Sequence, residues 1–290
     1  MINLFYSILF NTVLGIILKL FEKFKLDLFQ AIVFNYISCV LTGIIVQQSI
    51  PDYSDYAGES WFIFALILGG SFIFFFNVMG YIVKKMGITV MSVSNKLSLV
   101  IPVTVAFFIF SEEITFLKIA GIFMALIAVV FTSLKKENDK QAFNWKLMFW
   151  PLLLFIGSGM NDSIVKYAQA FHLQDVDNAP FNITIFSASA LFGAIILLTL
   201  LIRKKTTLHL SSIIGGLLLG VPNYFSMHFF IKALSIPGYG GAIIIPVNNI
   251  AVVAVSAICA YLIFKESLSK INVAGILLAV FAILLISSAV

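Results

Sequence analysis

The sequence predicts an all-α integral membrane protein of ten transmembrane helices, arranged as two inverted five-helix repeats. Three observations carry that expectation: the scarcity of charge, the spacing of long apolar runs, and an internal duplication. Of 290 residues, 61% are apolar and only 11% are charged, against roughly 45–50% and 25% for a soluble domain. A soluble fold of this length needs a polar surface, and the chain has too few charges to make one.

The apolar runs occupy 3–20, 28–47, 61–83, 88–110, 114–134, 147–170, 181–202, 209–231, 241–264 and 271–289. A helical crossing takes about 20 apolar residues at 1.5 Å of rise each. Backbone groups in hydrocarbon must be paired within their own segment, so these runs read as helices. A transmembrane barrel would show shorter, alternating segments, and none occur. The first run is short and contains Asn11, and Met1-Ile2-Asn3-Leu4 has no basic stretch. No small-x-small cleavage site ends it either, so it is expected to be a retained helix. Cys39 and Cys259 both fall inside apolar runs, which argues against a disulfide framework. Trp61, Trp145 and Trp150 sit near run ends, where interfacial belt residues are expected.

The basic residues set orientation. Connections after runs 1, 3, 5, 7 and 9 hold fourteen Lys and Arg residues, from Lys19, Lys23 and Lys25 through Arg203, Lys204 and Lys205 to Lys265 and Lys270. The opposite connections hold three, Lys118, Lys166 and Lys232, and the 2–3 connection is acidic with Asp52, Asp55 and Glu59. Positive charge collects on the cytoplasmic side. Ten crossings then put both termini on the non-cytoplasmic side of an inner (plasma) membrane, as a multi-pass protein. A pI near 9.1 is thereby explained without a nucleic-acid partner.

Residues 87–134 align without a gap on 241–288, with thirteen of 48 positions identical. Apolar bias inflates such a count, so the shared polar and glycine positions weigh more: Gly87/Gly241, Asn95/Asn249, Glu112/Glu266 and Gly121/Gly275. The halves are 1–137 and 142–290, joined by the polar stretch from Lys135 to Lys140. Five helices per half turn the second half upside down in the membrane. The usual physical use of such a repeat is alternating access to a central site.

Each half ends on an aromatic-x-Glu, a short polar link and a Gly-containing helix. These are Phe110-Ser111-Glu112 before Ala120-Gly121, and Phe264-Lys265-Glu266 before Ala274-Gly275. The pattern resembles the repeat of the drug/metabolite transporter superfamily, in its EamA-type ten-helix branch, over nearly the whole chain. The resemblance implies export or uptake of small metabolites, often coupled to protons or run as exchange. Two departures stand out. The family commonly has Pro about 13 residues before that Glu, where this chain has Leu99 and Val253, with Pro102 and Pro246 elsewhere. Many relatives also have both termini inside.

Ionisable groups at membrane depth cost several kcal/mol and are functional candidates by default. Lys96, about eight residues into run 4, reads as a site for a carboxylate or phosphate, or as a fixed structural pair. Asp162 reads as the carrier of a coupling proton, since a desolvated carboxylate loads and releases near neutrality. The alternative is an i,i+4 pair with Lys166 that locks both charges. Asn248 and Asn249 follow Pro246, and Asn95 is the repeat mate of Asn249. A proline frees a nearby carbonyl, so these amides suit a polar, anionic or zwitterionic solute such as an amino acid, or else serve as interhelical glue. Asn77, Asn161, Asn223 and His228 are further candidates of the same kind, and Tyr81 and Tyr224 read as pocket or packing residues. Glu112 and Glu266 read as cap or link residues.

An enzyme is the competing class. Gly157-Ser158-Gly159 with His228 suggests a serine–histidine pair, but the Gly-x-Ser-x-Gly elbow is missing. No metal-ligand spacing, Cys-x-x-Cys or phosphate-cradling loop is present. No cofactor is expected. The expected partners are a small-molecule substrate, coupling protons and the lipid bilayer, with the chain a monomer or homodimer. A flippase for a lipid-linked intermediate is the rival reading, by fold analogy.

Overall fold

The computed structural model describes residues 2–48, 53–109, 115–133, 145–173, 178–234, 241–265 and 268–288, and no strand occurs among them. Twelve helices are formed: α1 (Ile2–Lys23), α2 (Leu28–Gln47), the single turn α3 (Tyr53–Tyr56), α4 (Phe62–Met86), α5 (Ile88–Leu97), α6 (Val100–Ile109), α7 (Phe116–Ser133), α8 (Trp145–His172), α9 (Asn178–Ile202), α10 (Leu210–Leu234), α11 (Gly241–Phe264) and α12 (Lys270–Ser288). Among the described residues, seven are long and apolar enough to cross a membrane: α1, α2, α4, α8, α9, α10 and α11. The other three apolar runs fall on shorter apolar stretches, Ile88–Pro102, Ile119–Thr132 and Lys270–Leu285. Large apolar side chains such as Ile45, Leu262 and Leu277 stand exposed, as lipid-facing residues do.

Run 4 differs from its expectation: it is two helices. α5 stops at Leu97 and α6 starts at Val100. The cause is Pro102, which has no N–H to offer the Ser98 carbonyl four residues back. Ile101 N–H reaches that carbonyl instead, at 2.9 Å, a tighter turn that offsets the chain. At the other end of α5, Gly87 separates it from α4 with φ 99°, a left-side conformation that glycine adopts without steric cost. α12 opens with a reciprocal cap: Asn272 N–H donates to Ser269 Oγ at 3.1 Å, and Ser269 N–H to Asn272 Oδ1 at 3.0 Å.

The chain divides into two compact units, each drawing on both sequence halves: Met1–Lys19, Tyr81–Met160 and Ser226–Val290 in one, Leu20–Gly80 and Asn161–Phe225 in the other. The first is built on α5, α7, α11 and α12. Ala125 and Ala128 of α7 are fully buried in one core with Ala279 and Ala282 of α12. These alanines are repeat mates, and small residues are what let two helices approach closely in lipid. A Cβ on Gly275 would lie 2.8 Å from Thr132 N. Asn272 Nδ2 donates to Phe131 O and Thr132 O at 3.0 and 3.1 Å, tying the start of α12 to the end of α7. Lys19 Nζ reaches Val83 O at 3.5 Å.

In the second unit, Gly216 and Gly220 lay α10 directly on the backbone of α2, against Ala31 O and Asn35 O. Ser38 Oγ donates to Leu217 O at 2.8 Å and Cys39 Sγ to Gly220 O at 3.4 Å along the same seam. At the far end of this unit, Tyr53 pairs with Ser187 at 2.7 Å and His172 Nδ1 with Ser60 at 2.8 Å. Trp61 corrects its expectation as a belt residue. It is fully buried, edge-on to Phe181 at 5.9 Å, in a core with Leu68, Ala168 and Ile185.

Candidate functional site

Tyr81, Asn95, Lys96, His228, Asn248 and Asn249 lie in the first unit, and Asn77, Asp162, Lys166 and Asn223 in the second.

The first unit's polar centre is the break between α5 and α6. Asn95 and Lys96 occupy the last turn of α5, both half-buried. Ser98 Oγ donates to Asn95 O at 2.5 Å, closing the helix end. Asn95 Nδ2 donates to Ser158 Oγ of α8 at 3.0 Å. The neighbouring Gly159 brings the α8 backbone onto the break, since a Cβ there would sit 2.7 Å from Ser98 O and 2.5 Å from Ile101 Cβ. Ser158 and Gly159 thus pack the break. A helix C-terminus carries partial negative charge and favours a cation, which suits Lys96 there. Broken helices at membrane depth are tolerated where they line a cavity or are buried in protein.

On the opposing helix α11, Asn248 is buried at 2% exposure and Asn249 is buried too. Asn248 Oδ1 accepts from Ser7 Oγ at 3.2 Å, and that hydroxyl also lies 3.2 Å from Ser226 O. One serine so joins α1, α10 and α11. Tyr81 packs on Trp150 with ring centroids 4.7 Å apart, and His228 lies edge-on to Phe229 at 5.4 Å.

In the second unit, Asn223 Nδ2 donates to Asn35 Oδ1 at 3.1 Å. Asn77 Nδ2 turns back onto Ile73 O of its own helix at 2.7 Å. Asn161 Oδ1 accepts from Ser71 Oγ at 2.5 Å. Asp162 and Lys166 stand one turn apart on α8, both exposed.

Three buried groups escaped the sequence reading. Asn35 Nδ2, Thr89 Oγ1 and Ser94 Oγ find no hydrogen-bond partner among the described residues, although Asn35 and Ser94 are fully buried and Thr89 nearly so. Such a group costs about 1–3 kcal/mol, so each is a place where water or a polar solute gains a bond. One signal was available: Ser94 is the repeat mate of Asn248. Glu112 and Glu266 lie outside the described residues. Among the described residues no group of three or more His, Cys, Asp or Glu could hold a metal ion.

Helices of this length and apolarity define a multi-pass membrane protein. Residues 147–288 are similar to the EamA-like transporter family, whose members are membrane transporters of small molecules. An uncharacterized protein of Haemophilus influenzae is 29% identical over 291 residues, covering 97% of this chain and 96% of that protein. A protein of known crystal structure shares the fold with TM-score 0.64 at 13% identity, over 98% of this chain and 94% of its own.

Proposed function

We propose that the chain is a secondary transporter that moves a small polar metabolite, anionic or zwitterionic, across an inner membrane by alternating access. The observation that carries this reading is the match of residues 147–288 to the EamA-like transporters. The gapless alignment of 87–134 on 241–288 extends the same plan to the first half, giving ten crossings in two inverted repeats, 1–137 and 142–290. The close packing of the mate helices α7 and α12 supports it. So does the grouping of connections: α1 and α4 end together at Lys19 and Val83, and α7 ends beside the start of α12. Both are pairings that alternate crossings require, with the basic connections cytoplasmic and the termini outside.

In this reading, Lys96 at the α5–α6 break takes the acidic end of the solute. Asn95, Asn248 and Asn249 read its polar groups, with Tyr81 and His228 as further contacts, while Asn77 and Asn223 are candidates within the second unit. Asp162 carries the coupling proton beside Lys166. The test is uptake of a labelled panel of amino acids and related acids into proteoliposomes, with and without a pH gradient. At least one compound should enter faster than into protein-free vesicles and accumulate when the gradient is imposed. No uptake or exchange of any acidic or zwitterionic member would overturn the reading.

A further inference from the structure

At one end of the second unit a single amide clasps two basic connections together. Gln30 is fully buried, although it stands in the first turn of a membrane helix. Its Nε2 donates to Thr206 Oγ1 at 3.0 Å and to Thr207 O at 2.8 Å, and its Oε1 accepts from His209 N–H at 3.1 Å. Asp27 N–H donates to Ser212 Oγ at 2.8 Å beside it, and Asp27 Oδ1 caps Gln30 N–H at 3.0 Å. The segment from Lys23 to Asp27 is therefore fixed against the segment from Arg203 to His209.

This clasp gathers five cations, Lys23, Lys25, Arg203, Lys204 and Lys205, all exposed. Glu22 and Asp27 are the acids on the same segments, so the cluster stays net positive. The helix ends that carry them are built alike. Leu26 N–H reaches Phe21 O, and Lys205 N–H reaches Leu200 O, both at 2.9 Å. The left-handed position of each cap is a lysine, Lys25 at φ 53° and Lys204 at φ 50°, where glycine is the cheaper residue. Apolar side chains flank the cations at the same end: Phe24, Ile202, Leu208 and Leu210 are 65%, 81%, 52% and 70% exposed.

We propose that these two clasped connections form a docking site for the headgroup of an anionic phospholipid. The cations take the phosphate, and Phe24, Ile202, Leu208 and Leu210 take the glycerol region and upper acyl chains. Charge complementarity selects this occupant. The position at the ends of α1 and α9 puts exposed cations at headgroup depth, where anionic lipid is attracted within about a Debye length. The apolar rim suits an amphiphile and gives a free anion nothing.

The test uses the purified full-length chain in nanodiscs of phosphatidylcholine with a minor share of phosphatidylglycerol, and reads retained lipid by native mass spectrometry. Phosphatidylglycerol should be retained over phosphatidylcholine by about tenfold or more, and the preference should collapse in about 0.5 M salt. The K23Q/K25Q/R203Q/K204Q/K205Q variant should lose it, while K84Q/K85Q, basic but outside the clasp, should keep it. The salt arm uses the native chain, so it decides even if the multiple variant fails to fold. Equal retention of both lipids, loss in K84Q/K85Q as large as in the clasp variant, or displacement by millimolar inorganic phosphate alone would each overturn the proposal.

Discussion

Two stretches of the first unit, 87–110 and 241–264, align residue for residue and fold differently. The first is broken into α5 and α6, and the second is the continuous helix α11. Each contains one proline, at different registers: Pro102 is the mate of Ser256, and Pro246 the mate of Ser92. Pro102 falls mid-run, so the Ser98 carbonyl, which loses its donor four residues on and takes the Ile101 N–H instead, lies deep in the span. Pro246 falls in the second turn of α11, just past the four N–H groups that a helix start leaves unpaired anyway. Val252 and Val253, the mates of Ser98 and Leu99, are buried at 1% and 0% exposure in an unbroken stretch. A repeat can thus keep its apolar pattern and still place one break, on one side, beside the single deep lysine.

The largest effect should come from removing that lysine. Ile250 is the mate of Lys96, so the repeat itself does not require a charge there. Lys96→Met keeps most of the length and loses one charge-assisted hydrogen bond. Apparent affinity for an acidic substrate should fall about ten- to a hundredfold in proteoliposome uptake, with the protein still monodisperse. Ile250→Met should leave uptake unchanged. Unaltered affinity in Lys96→Met would move the lysine to a structural role.

Next is the packing that holds the break. Gly159→Ala drives a Cβ into Ser98 O and Ile101 Cβ, an overpacking worth about 1–3 kcal/mol of stability. Thermal unfolding of the purified protein should show it. Gly70→Ala meets only Phe192 at 3.6 Å and should be neutral or slightly stabilising, because alanine is the better helix former. Equal unfolding temperatures for the two variants would mean that α8 does not brace the break.

A smaller loss is expected at Ser98→Ala. The 2.5 Å bond to Asn95 O disappears, which costs about 0.5–1.5 kcal/mol. Amide exchange should quicken between Asn95 and Ile101, with the amides of Val247 to Val253 unaffected. Faster exchange in both stretches would show that the hydroxyl supports the whole unit and not the break alone.

What the sequence made legible here follows from range. Apolar run length is a local count, so the all-helical, membrane-spanning class could be read directly. Pro102 marks the break in sequence, but nothing there says that Gly159 and Ser158 of a different helix receive it. The alanine identities were discounted as apolar bias, yet Ala125, Ala128, Ala279 and Ala282 meet in one core. Trp61 was placed by its position near a run end, whereas Phe181 and Ile185, far along the chain, bury it. Asn35 and Ser94 look in sequence like any small polar residue in a helix. Only burial and the missing partner set them apart.

The smallest effect is expected at the second proline. Pro246→Ala returns an N–H within reach of the Ala242 carbonyl, the sixth residue of α11 pairing with the second. The regained bond is worth about 0.5–1.5 kcal/mol. Against it, the unfolded chain regains the freedom that a proline denies it, a cost of about 0.4–1 kcal/mol. The two terms nearly cancel, so stability should move by less than about 0.5 kcal/mol, as for most substitutions away from a special feature. Uptake should also hold, because α11 is already continuous through Asn248 and Asn249. Both readouts are needed. An unchanged unfolding temperature with a collapse of uptake would mean that the carbonyl beside Pro246 serves the solute directly. The asymmetry between the two stretches would then include which of them offers the solute a carbonyl, beside Lys96 and the break.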